Sequence, residues 1–235
     1  MNIELKHGDS LQAMKAMADN QFDWAIVDPE YGRKEHGGVN RAGFVTQSNG
    51  SRKYVKNGNH YTKKDWDNKP ASEEYFLELM RVSKNQIIWG CNYYVKNLWG
   101  TGRIIWDKCN EGSDQSDCEI AFNSSTERVD MFRFMWRGMM QGKSIKEGHI
   151  MQGNKKLNEK RIHPTQKPVA LYKWILDKYT SEGDLILDTH LGSASIAIAA
   201  HDLNRNLIGY EIDDEYYELA CKRFETHKAQ LCLQW

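Results

Sequence analysis

Proline and paired cysteine are what this chain has least of. Among 235 residues there are four prolines and five cysteines. Cys91, Cys109, Cys118, Cys221 and Cys232 are odd in number and form no Cys-x-x-Cys pair, which argues against a disulfide framework or a zinc knuckle. A reducing, cytoplasmic compartment fits that pattern. No apolar run approaches the ~20 residues a membrane helix requires, so the chain reads as soluble, with no membrane partner. Met1, Asn2, Ile3 and Glu4 lack the basic-then-apolar order of a secretion signal. Internal repeats and low-complexity tracts are missing as well.

Net charge is also absent, with 32 Lys+Arg against 32 Asp+Glu, yet the charges are not mixed evenly. Residues 33–69 hold 9 basic and 3 acidic side chains, and 128–167 hold 10 and 3, leaving 13 basic and 26 acidic on the remainder. Two basic insertions on an acidic body suit a polyanion contacted by the insertions alone. The length suits one domain over 1–235 with a real core.

Hydrophobic periodicity sketches the elements. Residues 3–5 read as a strand, and Leu11, Met14 and Met17 recur at helical spacing. The apolar run 22–27 reads as a buried strand that opens into a loop at Asp28-Pro29. Residues 32–70 are polar, basic and loop-like. A helix is expected over 72–82, with Ser72 as its N-cap and Tyr75, Phe76, Leu79 and Met80 on its apolar face. Strands are expected at 86–89 and 103–106, with a short helix over 93–98 between them. Strands at 118–122 and 129–136 are close enough to pair as a hairpin, and 137–162 is a second basic, loop-like stretch. The last third alternates: helix 169–179, strand 185–187, helix 195–203, strand 206–210, helix 214–227. Alternation of this kind predicts an α/β fold, a mostly parallel sheet with helices on both faces and ligands beyond the strands' C-terminal ends.

Three segments carry chemistry. Asp28-Pro29-Glu30-Tyr31-Gly32 follows a buried strand. An exocyclic base amine is a poor nucleophile, because its lone pair is delocalised into the ring. A carboxylate and a carbonyl held by a stiff Pro turn can accept its N–H groups and draw the nitrogen towards tetrahedral geometry. Tyr31 can stack on a base taken out of a duplex. The second segment, Leu185 to Ser195, reads as strand, small-residue turn and helix start, where Gly192 and Ser193 permit close approach of a cofactor. Ile208-Gly209-Tyr210-Glu211 ends the next strand in a carboxylate suited to ribose hydroxyls. The third, His163-Pro164-Thr165-Gln166-Lys167-Pro168, precedes a helix, and Thr165 and Lys167 there could hold a carboxylate. Taken singly, each is also compatible with an ordinary turn.

Jointly, and in this order, they resemble the DNA adenine-N6 and cytosine-N4 amino-methyltransferases in their permuted, beta-type arrangement, small phage-type or orphan members especially. That family's Asp-Pro-Pro-Tyr is matched by residues 28–31, its His-Pro-Thr-Gln-Lys-Pro in full by 163–168, its Asp-Pro-Phe-x-Gly-Ser-Gly-Thr in part by 188–195, and its Ile-Gly-x-Glu by 208–211. The resemblance covers nearly the whole chain and implies a Rossmann-like methyltransferase fold with a seven-stranded sheet. It implies catalytic roles for Asp28, Pro29 and Tyr31. It also implies S-adenosylmethionine bound by Asp9, Asp28, Thr165, Lys167, Asp188, His190, Gly192, Ser193 and Glu211, with Glu211 on the ribose. Double-stranded DNA would be the substrate, adenine N6 the target by virtue of Asp rather than Ser at position 28, and 128–162 the target-recognition region. Residues 33–69 would close over the extruded base and 163–235 would form the cofactor part. A homodimer is left open.

The chain departs from the family pattern at three places. Glu30 stands where a second Pro is expected, which loosens the turn and adds a charge. Thr189-His190 stands in place of Pro-Phe, removing an aromatic against the cofactor. Ala194 replaces a Gly, which is tolerable only if its φ stays negative. Cytosine-C5 chemistry needs a nucleophilic Cys, usually after Pro, and none of the four prolines is followed by one. Cytosine-N4 methylation, a non-catalytic DNA-binding homologue and a plain nucleotide-binding protein such as a dehydrogenase remain as rivals. The last lacks the expected glycine pattern and needs no basic insertions.

Overall fold

The computed structural model describes residues 1–33, 43–46, 50–55, 69–111, 116–137 and 139–232. The chain runs β1 (Ile3–His7), α1 (Ser10–Lys15), β2 (Phe22–Val27), β3 (Gly43–Thr46), β4 (Arg52–Val55), α2 (Glu73–Val82), β5 (Ser83–Trp89), β6 (Arg103–Asp107), β7 (Cys118–Asn123), β8 (Val129–Arg133), β9 (Trp136–Arg137), β10 (Met140–Gln141), α3 (Val169–Tyr179), β11 (Leu185–Asp188), α4 (Ser195–Asp202), β12 (Asn206–Glu211) and α5 (Asp214–Cys232). Eight strands form the main sheet, in the order β1-β12-β11-β2-β5-β7-β6-β8. The first five are parallel neighbours. β7 runs antiparallel to both β5 and β6.

The central strands are apolar on both faces because both are covered. Trp24, Ile26, Ile87 and Trp89 pack with Leu171, Ile175, Ala197 and Phe224 of α3, α4 and α5. Their alternates Ala25, Val27 and Ile88 pack with Met14, Phe76 and Leu79 of α1 and α2. Fully burying one such side chain stabilises the fold by ~1.5–3 kcal/mol.

Winding reverses between β2 and β11. From β2 the chain crosses through α2 to β5 on one side, and from β11 it crosses through α4 to β12 on the other. Right-handed crossovers in opposite directions put α2 and α4 on opposite faces and open a crevice at the strand ends between them. Asp28 follows β2 at this crevice, and Asp188 is the last residue of β11.

Four expectations need correction. The sheet has eight strands rather than seven. β7 and β8 do not form a hairpin, since β6 lies between them, antiparallel to β7 and parallel to β8. Both edges of β7 are already occupied, and β8, buried only at alternate residues, suits the sheet edge. No helix spans 93–98; a single 3-10 turn, Cys91–Tyr93, stands there after Gly90 in the left-handed region. The stretch 137–162 is also more ordered than a loop, with β9 paired to β10, Gly142 bridged to Met151 and a 3-10 turn over Lys155–Leu157. The basic stretch 33–69 lies largely outside the described residues.

Candidate active site

A cleft of about 780 Å³ opens over the crevice. Asp9, Asp28, Pro29, Tyr31, Thr165, Lys167, His190, Gly192, Ser193 and Glu211 all border it, brought together from five regions of the sequence. Asp188 does not: it stands behind the wall, only 2% exposed, and accepts the backbone N–H of His190 at 3.0 Å.

One wall is the Asp28–Tyr31 loop. Asp28 leaves β2 directly after four buried residues, and Pro29 ends the strand's donor row. One oxygen of the Asp28 carboxylate accepts the Tyr31 hydroxyl and the other accepts the Lys167 ammonium. Lys167 also meets Glu119 at 3.1 Å, and Glu119 is ion-paired to Lys108, so charges alternate along one buried row. Burial presses Lys167 towards the neutral form, but Asp28 and Glu119 overcome it and hold the ammonium above its ordinary range. Burial likewise opposes the Glu119 charge, and Lys167 and Lys108 bring that carboxyl down to about 2. Tyr94 donates to the carbonyls of Pro29 (3.3 Å) and Glu30, and Ala71 N–H donates to the Glu30 carbonyl at 3.2 Å. Tyr31 stacks on Tyr93 with ring centres 4.8 Å apart. This packing requires glycine at position 90: its φ is +67° and a Cβ would fall 2.1 Å from the Tyr31 ring.

The opposite wall is the turn after β11 and the end of β12. The Glu211 carboxylate accepts Gly192 N–H at 2.7 Å and Asp213 N–H at 3.0 Å, which fixes its plane and leaves further lone pairs on both oxygens. Burial raises its carboxyl above the ordinary range. Gly192 has φ +51°, and a Cβ there would lie 3.8 Å from the His163 ring, so backbone conformation rather than space favours glycine. Ser193 is buried, its carbonyl accepting Arg223 at 2.6 Å and its hydroxyl meeting Ser195 at 3.0 Å. Ala194 does sit in the left-handed region, at φ +57°, contrary to the negative φ expected of a non-glycine residue there. Such a conformation costs an alanine ~1–2 kcal/mol. Asp9 caps α1, accepting Leu11 N–H at 2.8 Å and Gln12 N–H at 3.3 Å, and borders the cleft. Thr165 Oγ1 lies 3.1 Å from His163 Nδ1.

Several site residues escaped the sequence reading. Glu119 is the one charged residue of β7, and that was its signal. Lys108 ends a Trp-Asp-Lys run, but nothing local marks its partner. Glu159 braces the 163–168 segment, accepting Gln166 Nε2 at 2.8 Å and Val169 N–H at 3.0 Å while pairing with Arg223. Tyr75 reaches from α2 to Thr189 Oγ1 at 2.6 Å.

A doubly wound sheet with an acidic strand end beside a glycine turn, facing an Asp-Pro-x-Tyr loop across one cleft, defines a Rossmann-like protein with paired ligand and chemistry walls. The DNA methylase family model, that of the N6/N4 enzymes, matches residues 3–222, and the chain belongs to that family. The type II methyltransferase M2.DpnII of Streptococcus pneumoniae is 27% identical over 94% of this chain and 89% of its own. The type II methyltransferase M.HinfI of Haemophilus influenzae is 26% identical over 97% of this chain and 69% of its own. Among solved structures, the M1.HpyAVI–SAM complex superposes with a TM-score of 0.54 at 19% identity, covering 94% of this chain and 99% of that one. The cytosine-N4-specific PvuII DNA methyltransferase gives 0.54 at 14% identity, covering 97% and 91%. At those identities the superpositions speak for the fold, which is the Rossmann-like methyltransferase fold.

Proposed function

We propose that this DNA methyltransferase transfers a methyl group from S-adenosylmethionine to adenine N6 at a specific sequence in double-stranded DNA. The observation that carries the reading is the apposition, in one cleft, of the Asp28–Tyr31 loop and the Gly192–Glu211 turn.

The residues present fit the cofactor. Glu211, held by two backbone N–H groups, offers free lone pairs to ribose hydroxyls. The positive-φ glycine at 192 lets the backbone come close, with His190 and Ser193 beside it. Asp9 serves the adenine side. Thr165 and Lys167 serve the methionine end: an ammonium has three N–H donors, and Asp28 and Glu119 take two of Lys167's. Asp188 supports from behind by fixing the His190 backbone. When bound, the cofactor supplies a methyl group on a sulfonium, open to direct in-line attack.

The chain's own part is positioning and electrostatics. Asp28 and the Pro29 carbonyl accept the amine's N–H groups and localise its lone pair, and Tyr31 stacks on the extruded base. Lys167 holds the Asp28 carboxylate in place. Adenine is favoured by Asp at position 28. The reading includes one domain over 1–235, target recognition by 128–162, closure by 33–69, a cytoplasmic location beside the DNA and a homodimer left open. Transfer of tritiated methyl to unmethylated DNA, followed by nucleoside analysis, tests it. N6-methyladenine is expected, with Asp28→Ala abolishing turnover while most cofactor affinity survives. Label found only as N4-methylcytosine would overturn the adenine assignment, and full activity in Asp28→Ala would overturn the site.

A further inference from the structure

Glu30 and His190 lie 160 positions apart in the chain, one on each wall of the cleft, and both depart from the pattern their segments otherwise follow. In the fold they meet: His190 Nε2 is 3.0 Å from Glu30 Oε2, and both side chains are largely buried. The contact is anchored on both sides. The Glu30 carbonyl is held by Tyr94 and Ala71. His190 Nδ1 lies 2.9 Å from Thr189 Oγ1, which lies 2.6 Å from the Tyr75 hydroxyl on α2. A doubly protonated ring donates at both nitrogens, to Glu30 and to Thr189, and so gives this chain of contacts one direction. A side chain in place of proline removes a rigid ring from the loop, and the ion pair restores a fixed point two residues from Asp28.

We infer that the Glu30–His190 ion pair is a strut that sets the span between the amine-holding loop and the cofactor-holding turn, making both residues positioning residues for methyl transfer. The inference rests on the proposed reaction. Burial disfavours the His190 charge, but Glu30 overcomes it, with Asp188 and Glu211 adding to its pull, and the ring is raised to about 9. Burial also disfavours the Glu30 charge, and His190 in turn holds that carboxyl below its ordinary range. The groups facing the pair are therefore Asp188 at the end of β11, Glu211 at the end of β12, and from α2 the neutral Tyr75, whose hydroxyl burial pushes well above its ordinary range. The pair is intact at neutral pH and is lost as pH rises through about 9, when the ring sheds its proton.

The test uses the full chain with Glu30→Gln, His190→Gln, the double variant and the exchange Glu30→His/His190→Glu. Misplacement by about 1 Å costs about a hundredfold in aligned reactions, so each single variant is expected to lower kcat by about tenfold or more, with KM for DNA within about twofold. The double variant should be no worse than either single, and the exchange should recover part of the loss. The alkaline fall of kcat near pH 9 should vanish in the single variants. Additive losses, or single variants at wild-type kcat, overturn the inference. Imidazole NMR separates it from the proposed reaction. A wild-type His190 ring that titrates near the ordinary 6.5 ends the strut whether or not methyl is transferred. A high titration that collapses in Glu30→Gln, in a protein that transfers no methyl, supports the strut and counts against the reaction alone.

Discussion

Asp188 shows how a single residue can serve the site at the fold's expense. It ends β11 with its carboxyl shut away from solvent, and the backbone N–H of His190 is its one hydrogen-bond donor among the described residues. Burial raises the carboxyl to about 7, even though that N–H and the His190 charge both favour ionisation. The unfolded chain ionises this group near 3.8, so between that value and 7 the folded state keeps a proton that the unfolded chain has shed. Stability therefore falls as pH rises across that window. Asp188→Asn keeps an acceptor for His190 N–H without the charge. It should be more stable than the wild type at pH 8 by on the order of 1–2 kcal/mol, or roughly 2–6 °C in Tm, and no different near pH 4. Melting curves at the two pH values check this, and a lower Tm at pH 8 contradicts it. The sequence placed Asp188 at the cofactor because its segment matches a cofactor turn. It could not show that the side chain points behind the wall. Glu30–His190 and Lys108–Glu119–Lys167–Asp28 were hidden for a related reason: charge pairing between distant segments leaves no periodicity to read.

Among the elements, α2 connects packing to the site most directly. Ser72 accepts Tyr75 N–H at 3.1 Å, Glu73 and Glu74 fill the first turn, and Tyr75, Phe76, Leu79 and Val82 are buried. The cap and most of the stripe were readable, because an N-cap and a 3.6-residue period are local signals, but Met80, expected on the apolar face, is only half-buried and Val82 takes the last buried place. Two changes in the helix should separate end effects from core effects. Ser72→Ala removes one capping bond and is expected to cost about 1 kcal/mol. Leu79→Ala empties a fully buried position and is expected to cost about 2–5 kcal/mol. Urea unfolding should give that order with equal m-values; a larger loss for Ser72→Ala would mean that the cap also sets the Tyr75–Thr189 contact. Strand partners were less legible than helices. Residues 118–122 and 129–136 carry strand patterns separated by six residues, as a hairpin could be, and both strands exist. What the pattern does not record is that β6, earlier in the chain, lies between them.

For the whole molecule, the unequal spread of charge becomes an argument about where DNA lies. The acidic body and the basic 128–167 stretch were visible in composition. The fold adds which of those charges are already used. Lys167 is buried in the cleft wall beside Asp28, Arg133 pairs with Asp107 at 2.7 Å and Lys143 with Glu147 at 2.8 Å. Lys146, Lys155, Lys156 and Lys160 are exposed, and among the described residues none of them is in an ion pair or borders the cleft. Cations of this kind suit phosphate contacts, which strengthen binding at every sequence without choosing one. Changing all four to glutamine should therefore weaken DNA binding alike for cognate and random duplexes. Each lost phosphate contact lowers the slope of log affinity against log salt by ~0.9, so the slope should become shallower by roughly 3–4. Cofactor affinity should not change, since the cleft is untouched. Fluorescence anisotropy over a salt series measures both affinity and slope. A slope unchanged by the four substitutions would show that these lysines do not contact the DNA backbone.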